Sequence, residues 1–381
     1  MSAPPLSTEV DLAALRADRR RRLLDAMAAH DLDVLVLGRA ADVTFATGAR
    51  QLWTAGTRPF GPACVVVAET GRAHLLSVSD DGVPPEVSRE DLFGLSWDPA
   101  NLAASLAAIP GLRSARRVGT GSSSPGFPRL IQAIAPDAEV VDGGPAIWAA
   151  RSPKSEAEVA CIVAATARAE AGLTAMVDAL RPGVSERDLL AAHVERLAAL
   201  GAPIPPSEGV ACATATSGPV RLRRLATRRP IAAGELVVLD AGGFHEGYEG
   251  GVGRTWPAGD EPVPSAARAL AGRCRSELDT VLDACVDGAT GADLCRAWTA
   301  SGEALPPEPI VHGVGLGVEP PLIGAGVGGQ AVLRAGTVIS VTGWVAADGV
   351  GGYLERDLVL VGAGAPQVLS RYGRGPAGEG T

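Results

Sequence analysis

Lysine is almost missing from this chain of 381 residues: Lys154 stands alone against thirty-three arginines. Schiff-base or lysine-nucleophile chemistry therefore rests on Lys154 or is excluded. Aromatic residues make up only 4%, so Ala, Val and Leu must fill the core within a hydrophobic content of 46%. No window approaches the roughly 18 uninterrupted apolar residues expected of a membrane-crossing helix. The opening "MSAPPLSTEVDLAALRADRRRRLL" has acids early and arginines late, without an apolar centre, and so does not read as a secretory signal. A cytoplasmic protein without membrane association is expected. The six cysteines are scattered with no C-x-x-C pair, which suits reduced, buried thiols and gives no zinc knuckle. No G-x-x-x-x-G-K-[ST] exists, and none of "GVGLG", "GAGVGG" and "GVGG" sits as G-x-G-x-x-G between a strand and a crossover helix. A G-x-S-x-G elbow is missing too. The net charge of −9 argues against nucleic acid as a partner. The run Arg19 to Arg22 reads as the solvated face of a first helix, because Leu23, Leu24 and Met27 follow at helical spacing.

What is present suggests two domains, since the chain is too long for one ordinary core. In the first 148 residues helix and strand alternate. Residues 12–30 form an amphipathic helix, and "DVLVLG" (33–38) is a buried strand. "ACVVVAE" and "AHLLSVS" flank the hairpin signal "TGR", and further strands are expected near 114–121 and 138–144. This is an α/β pattern. From residue 149 to 372 helices come first and strands follow. Ser155 with Glu158 makes a capping box for a helix running to Leu180, and a second helix stops at Gly201. "ELVVLDAGG", "GYEGGVGRTW", "PIVHGVGLG", "GTVISVTGW" and "DLVLVG" then supply strands, with a helix across 264–284. That order favours an α+β layer with antiparallel strands. His193 sits inside a helix and reads as a packing or surface residue. The tail 373–381, "GRGPAGEGT", is expected to be disordered.

Several separate pieces of the second half match one family in order. "RSPKSEAEVA" is similar to the start of that family's catalytic domain. "AAGELVVLDAGGFHEGYEGGVGRTW" parallels its Gly-Asp-x-Val-x-x-Asp and Gly-Tyr-x-x-Asp-x-x-Arg-Thr patterns. "VHGVGLGVEPP" parallels Gly-His-Gly-x-Gly-Leu…His-Glu-Pro-Pro. "GTVISVTGW…GVGGYLERDLVLV" parallels Glu-Pro-Gly…Gly-Gly-x-Arg-x-Glu-Asp. The chain resembles the creatinase, prolidase and aminopeptidase P superfamily. "LDVLVLGRAADVTFATGARQLWTAGTRP" extends the likeness to the creatinase-type N-terminal domain. The resemblance implies an α+β pita-bread domain behind an α/β N-terminal domain, and a homodimer.

In active peptidases of that superfamily two metal ions are held by two Asp, one His and two Glu, and they acidify a bridging water. By the resemblance Asp240 and His312 occupy two of those five positions. The others fall on Gly251, Thr342 and Arg356, with Glu355 beside Arg356. The His-Glu-Pro-Pro segment is one residue short, leaving Glu319 without its histidine. The histidine expected before Asp240 falls near Arg223. No metal and no other cofactor is therefore expected. One carboxylate and one imidazole beside an arginine do not balance two divalent ions.

Three readings stay open. Creatinase implies that the fold can cleave a C–N bond without metal. His312 would then be the base, oriented by Asp240, with Glu319 as a further catalytic residue. Arg356, Arg254 and Arg223 would clamp a small anionic substrate, with Tyr248, His245 and Glu355 lining its site. The second reading is a pseudo-peptidase that serves as a binding or interaction module. The third is a residual metallopeptidase, in which a shift of register brings Glu355 or Glu249 into the cavity.

Overall fold

The computed structural model describes residues 10–49, 64–77, 80–94, 98–121, 127–202, 209–214, 220 and 225–375. The chain divides into two compact units, Asp11–Ser152 and a second that begins at Pro153. The seam thus falls a few residues beyond the expected one, because the last helix of the first unit runs on through Arg151.

The first unit contains α1 (Leu12–Ala29), β1 (Val34–Leu37), α2 (Ala40–Thr47), β2 (Cys64–Val67), β3 (Arg72–Leu76), β4 (Leu92–Phe93), α3 (Pro99–Ala107), β5 (Arg117–Gly121), α4 (Phe127–Ile134), β6 (Glu139–Asp142) and α5 (Gly144–Arg151). Its sheet has the order β4-β3-β2-β1-β5-β6. The β2–β3 hairpin is antiparallel, as "TGR" requires, while β1, β5 and β6 run parallel. Val34, Val36, Val65 and Val67 pack under Leu102, Leu106 and Ile131. The Arg19–Arg22 run is not uniformly solvated: Arg19 is buried, and Arg22 reaches the Ala150 carbonyl at 3.0 Å.

The second unit contains α6 (Glu156–Ala179), α7 (Glu186–Ala199), β7 (Val210–Ala213), β8 (Leu236–His245), β9 (Tyr248–Pro257), α8 (Ser265–Asp283), α9 (Gly291–Thr299), β10 (Val311–Gly315), β11 (Gly317–Ile323), β12 (Val338–Ala347), β13 (Gly351–Leu360) and β14 (Gln367–Val368). The strands form an antiparallel sheet in the order β11-β10-β12-β13-β9-β8-β7, with β14 on β13. Helices cover one face of it. Ala169, Leu173 and Met176 of α6 pack on Val237, Leu239, Ala241 and Val252. Leu270, Cys274 and Leu278 of α8 pack on Val311, Ile339, Val341 and Tyr353. The opposite face carries the site described below.

The capping box at Ser155 and Glu158 is formed, and it starts α6 where the sequence pattern places it. By length and composition α6 is long and apolar enough to cross a membrane. Here its apolar side is core, and the reason it lies so close to the sheet is glycine. Gly243 and Gly250 face each other across β8 and β9. A Cβ on Gly250 would stand 2.1 Å from the Thr166 nitrogen, inside the helix backbone. Tyr248 then ties the contact: its hydroxyl donates to Glu158 Oε1 at 2.5 Å.

The segment 373–375 of the expected disordered tail is held. Arg254 Nε donates to the Gly373 carbonyl at 3.1 Å and Arg275 Nη2 to that of Gly375 at 2.6 Å. Residues 376–381 lie outside the described residues. Replacing Gly250 by Val should lower the stability of the second unit by roughly 2–3 kcal/mol or more, because the backbone of α6 must move. Urea denaturation followed by circular dichroism measures this, and an unchanged midpoint would contradict the packing described.

Candidate active site

Strand alternation decides which side chains share the face left free of helices. Val311, Val341 and Tyr353 point into the α8 core. Their neighbours His312, Thr342 and Arg356 therefore point the other way. His312 lies across from Ser340, and Thr342 from Arg356. On β8 and β9 the helix-facing residues are Leu239, Ala241 and Val252, so Asp240, Glu249, Gly251 and Gly253 join the same free face. Val210, Cys212, Val238, Trp344 and Leu354 form its apolar part.

At the centre Arg356 Nη2 is ion-paired with Asp240 Oδ1, and both residues are buried. The guanidinium lies over Gly251, where an added Cβ would stand 2.6 Å from Nη2. Arginine thus fills the space that a side chain at 251 would take. A second ion pair closes the other end. Lys154 Nζ sits 2.8 Å from Glu319 Oε2, with side-chain exposures of 2% and 3%. The amide of Leu316 donates to Glu319 Oε1 at 3.3 Å, and Gly315 leaves room for that carboxylate.

Other expected site residues lie elsewhere. Tyr248 faces α6 and bonds Glu158. Arg254 spends all five of its N–H donors on protein: the carbonyls of Gly253, Arg356, Tyr372 and Gly373, and Asp357 Oδ1. It is a strap for the chain end, with no donor left for a substrate. Glu355 is fully buried on the α8 side, held by Arg275 at 2.9 Å and Arg374 at 3.0 Å. No bulge interrupts the β12–β13 pairing to turn it round. His245 follows the alternation of Leu239 and Ala241, away from Asp240. Arg223 lies outside the described residues. His312 is half-buried in β10 beside a bulge at Gly313. Asp240 is engaged by Arg356.

Three residues of the free face were not assigned a role there from the sequence. For Lys154 the available signal is that it is the one lysine in a chain that otherwise uses arginine. Ser340 has a buried Oγ without a hydrogen-bond partner among the described residues. Glu249 appeared only as a replacement ligand. Its carboxyl is pushed up to about 7 by burial, against the pull of Arg356 and with the added repulsion of Glu319. Parity along β9 was also readable: if Gly251 faces the cavity, Tyr248 and Arg254, each three residues away, cannot.

Sequence profiles match both units. Residues 160–363 match the Metallopeptidase family M24, and residues 19–152 match the Creatinase/Prolidase N-terminal domain. The chain belongs to family M24. Similar solved structures include the prolidase from Pyrococcus horikoshii OT3, 21% identical, covering 94% of this chain and 99% of that one with a TM-score of 0.76. The dipeptidase PepE from Mycobacterium ulcerans is 21% identical, covering 96% and 98% with a TM-score of 0.75. The X-Pro aminopeptidase from Thermotoga maritima MSB8 is 16% identical, covering 93% and 98% with a TM-score of 0.77. A comparison with curated protein sequences finds no match. These likenesses establish the two-domain creatinase-type fold and a hydrolase family.

The donors on the free face decide whether an M24 metal pair could be held there. Hard divalent cations need several carboxylate or imidazole ligands. Here Asp240 is paired with a fixed cation, and by the resemblance Gly251, Thr342 and Arg356 fall at three of the family's ligand positions. Among the described residues no group of three or more His, Cys, Asp or Glu is placed to hold an ion. The donors do not fit two metals.

Glu249 gives a pH-dependent stability with a definite sign. Its carboxyl titrates near 7 in the fold and near 4.5 unfolded, so the folded state binds the extra proton between those values. Stability from this group is complete below the lower value and is lost as pH rises through the upper one. Glu249→Gln should therefore be more stable than the parent at pH 8, by up to about 3 kcal/mol, with no such gain at pH 4. Paired urea titrations at the two pH values measure it, and equal effects at both would contradict the placement of Glu249.

Proposed function

We propose that this M24 protein hydrolyses a C–N bond in a small polar substrate without a divalent metal pair. The observation that supports the reading is the Arg356–Asp240 ion pair lying over Gly251. A tethered guanidinium supplies positive charge where the family's cations would sit, and it cannot acidify a bridging water as a metal does. Proton transfer then falls to side chains. His312 and Glu249 both lie on the free face, and burial pushes the Glu249 carboxyl up to about 7. In this scheme one of them takes a proton from water as it attacks the carbonyl or guanidino carbon. The other returns a proton to the departing nitrogen.

The substrate charge expected from sequence also changes. Arg356 and Lys154 are each closed by a carboxylate, and Arg254 is fully engaged. Of these three, Arg356 keeps a buried Nε with no hydrogen-bond partner among the described residues, but its charge is already met by Asp240, so a neutral amide or ureido compound suits the face better. We further propose that the protein works in the cytoplasm, as a homodimer.

A second reading, a non-catalytic binding module, is favoured by the same self-neutralised pairs, because a face that has closed its own charges needs no turnover to explain it. Hydrolysis of a panel of Xaa-Pro dipeptides and small amides separates the two. Catalysis predicts turnover that persists in EDTA and falls at least about 100-fold in His312→Ala. A fully inactive parent protein favours the binding module, and activity lost in EDTA favours the residual metallopeptidase. The double variant Gly251→Asp, Arg356→Glu should gain manganese binding by equilibrium dialysis where the parent protein has none.

A further inference from the structure

The first unit has a cleft of about 480 Å³ between the β3–β4 edge and the end of α3. Its wall includes His74, Asp91, Arg72 and Glu90, with Phe93 and Ile109 as apolar surface. None of these residues takes part in the proposed hydrolysis. His74 is 6% exposed and Asp91 5%, and His74 Nδ1 lies 3.1 Å from Asp91 Oδ1. Arg72 grips the same carboxylate, Nε to Oδ2 at 2.9 Å and Nη2 to Oδ1 at 2.8 Å, and it also reaches Glu90. Asp91 is thus fixed from two sides and fixes the histidine in turn.

The other ring nitrogen has no such provision. His74 Nε2 is buried with no hydrogen-bond partner among the described residues. With Nδ1–H donating to Asp91, Nε2 carries a lone pair and accepts. A buried polar atom left unpaired is costly, and folded proteins seldom keep one without a use for it. Burial, then Arg72, holds the imidazole below its usual pKa against the opposite pull of Asp91. A ligand atom meeting Nε2 must therefore donate a hydrogen bond. The charged lining (Arg72, Glu90 and Asp91) sums to one negative charge, and Glu90 stands 70% exposed. A cation is favoured over an anion.

We infer that this cleft is a second ligand site, one that takes a small primary amine: the ammonium donates to His74 Nε2 and meets Glu90, and a short apolar body lies on Phe93 and Ile109. It makes no use of the free face of the second unit, so it stands or falls apart from the hydrolytic reading.

The test uses the full chain and three probes of one shape: benzylamine, benzyl alcohol and benzoate. Binding is followed by the nitrogen shifts of the His74 imidazole. Benzylamine should shift His74 Nε2 saturably and bind more tightly than benzyl alcohol, and benzoate should not compete. Glu90→Gln changes an exposed residue with little risk to folding, and it should weaken benzylamine roughly three- to fivefold. His74→Phe should abolish the binding, whereas His312→Ala should leave it unchanged. An unmoved His74 resonance at saturating benzylamine, equal binding of benzoate, or full affinity in Glu90→Gln would each overturn the proposal.

Discussion

The buried ion pair between Arg356 and Asp240 is the constraint on which the rest of the second unit turns. An arginine inside a protein must be paired and hydrogen-bonded, or the loss of water around it is prohibitive. Here its partner comes from β8, two strands away across β9, and that reach is possible only because Gly251 and Gly253 of β9 carry no side chain. The glycines of "GYEGGVGR" therefore divide their work by parity. Gly251 and Gly253 make room for the guanidinium on one face, and Gly250 makes room for α6 on the other.

The same sheet spends its remaining charges on structure. Arg254 ties the chain end through four carbonyls and Asp357, and Glu355 is closed by two arginines beneath α8. Lys154, donated by the segment that leads into α6, closes Glu319. The free face also carries a half-buried imidazole, a serine hydroxyl without a hydrogen-bond partner among the described residues, and a carboxyl pushed up to about 7. Under the proposed reading those groups serve acid–base chemistry, since hard cations require a cluster of ionised oxygens.

Much of the fold was legible because its signals are local. The capping box at Ser155, the "TGR" hairpin and the run of helices followed by strands each depend on residues close in sequence. The motif pieces also placed Asp240, Gly251, His312 and Arg356 on strands of one sheet. Their roles were less legible, for a physical reason. A motif gives a position along a strand, whereas function depends on the face and on partners brought from distant strands. Tyr248, Arg254 and Glu355 match or adjoin the pattern yet face the helices, and alternation alone would have removed them. The partners of Arg356 and Lys154 lie more than a hundred residues away in sequence, and no local pattern encodes such a pairing.

We propose that the Arg356 guanidinium stands where the family's cations would otherwise be held. Crystals grown and soaked in manganese, with anomalous diffraction recorded at the manganese edge, test it most directly. The account predicts no anomalous peak between Asp240 and His312, with Arg356 ordered against Asp240 over Gly251. A strong peak ligated by Asp240, with Arg356 swung away from it, would contradict the account.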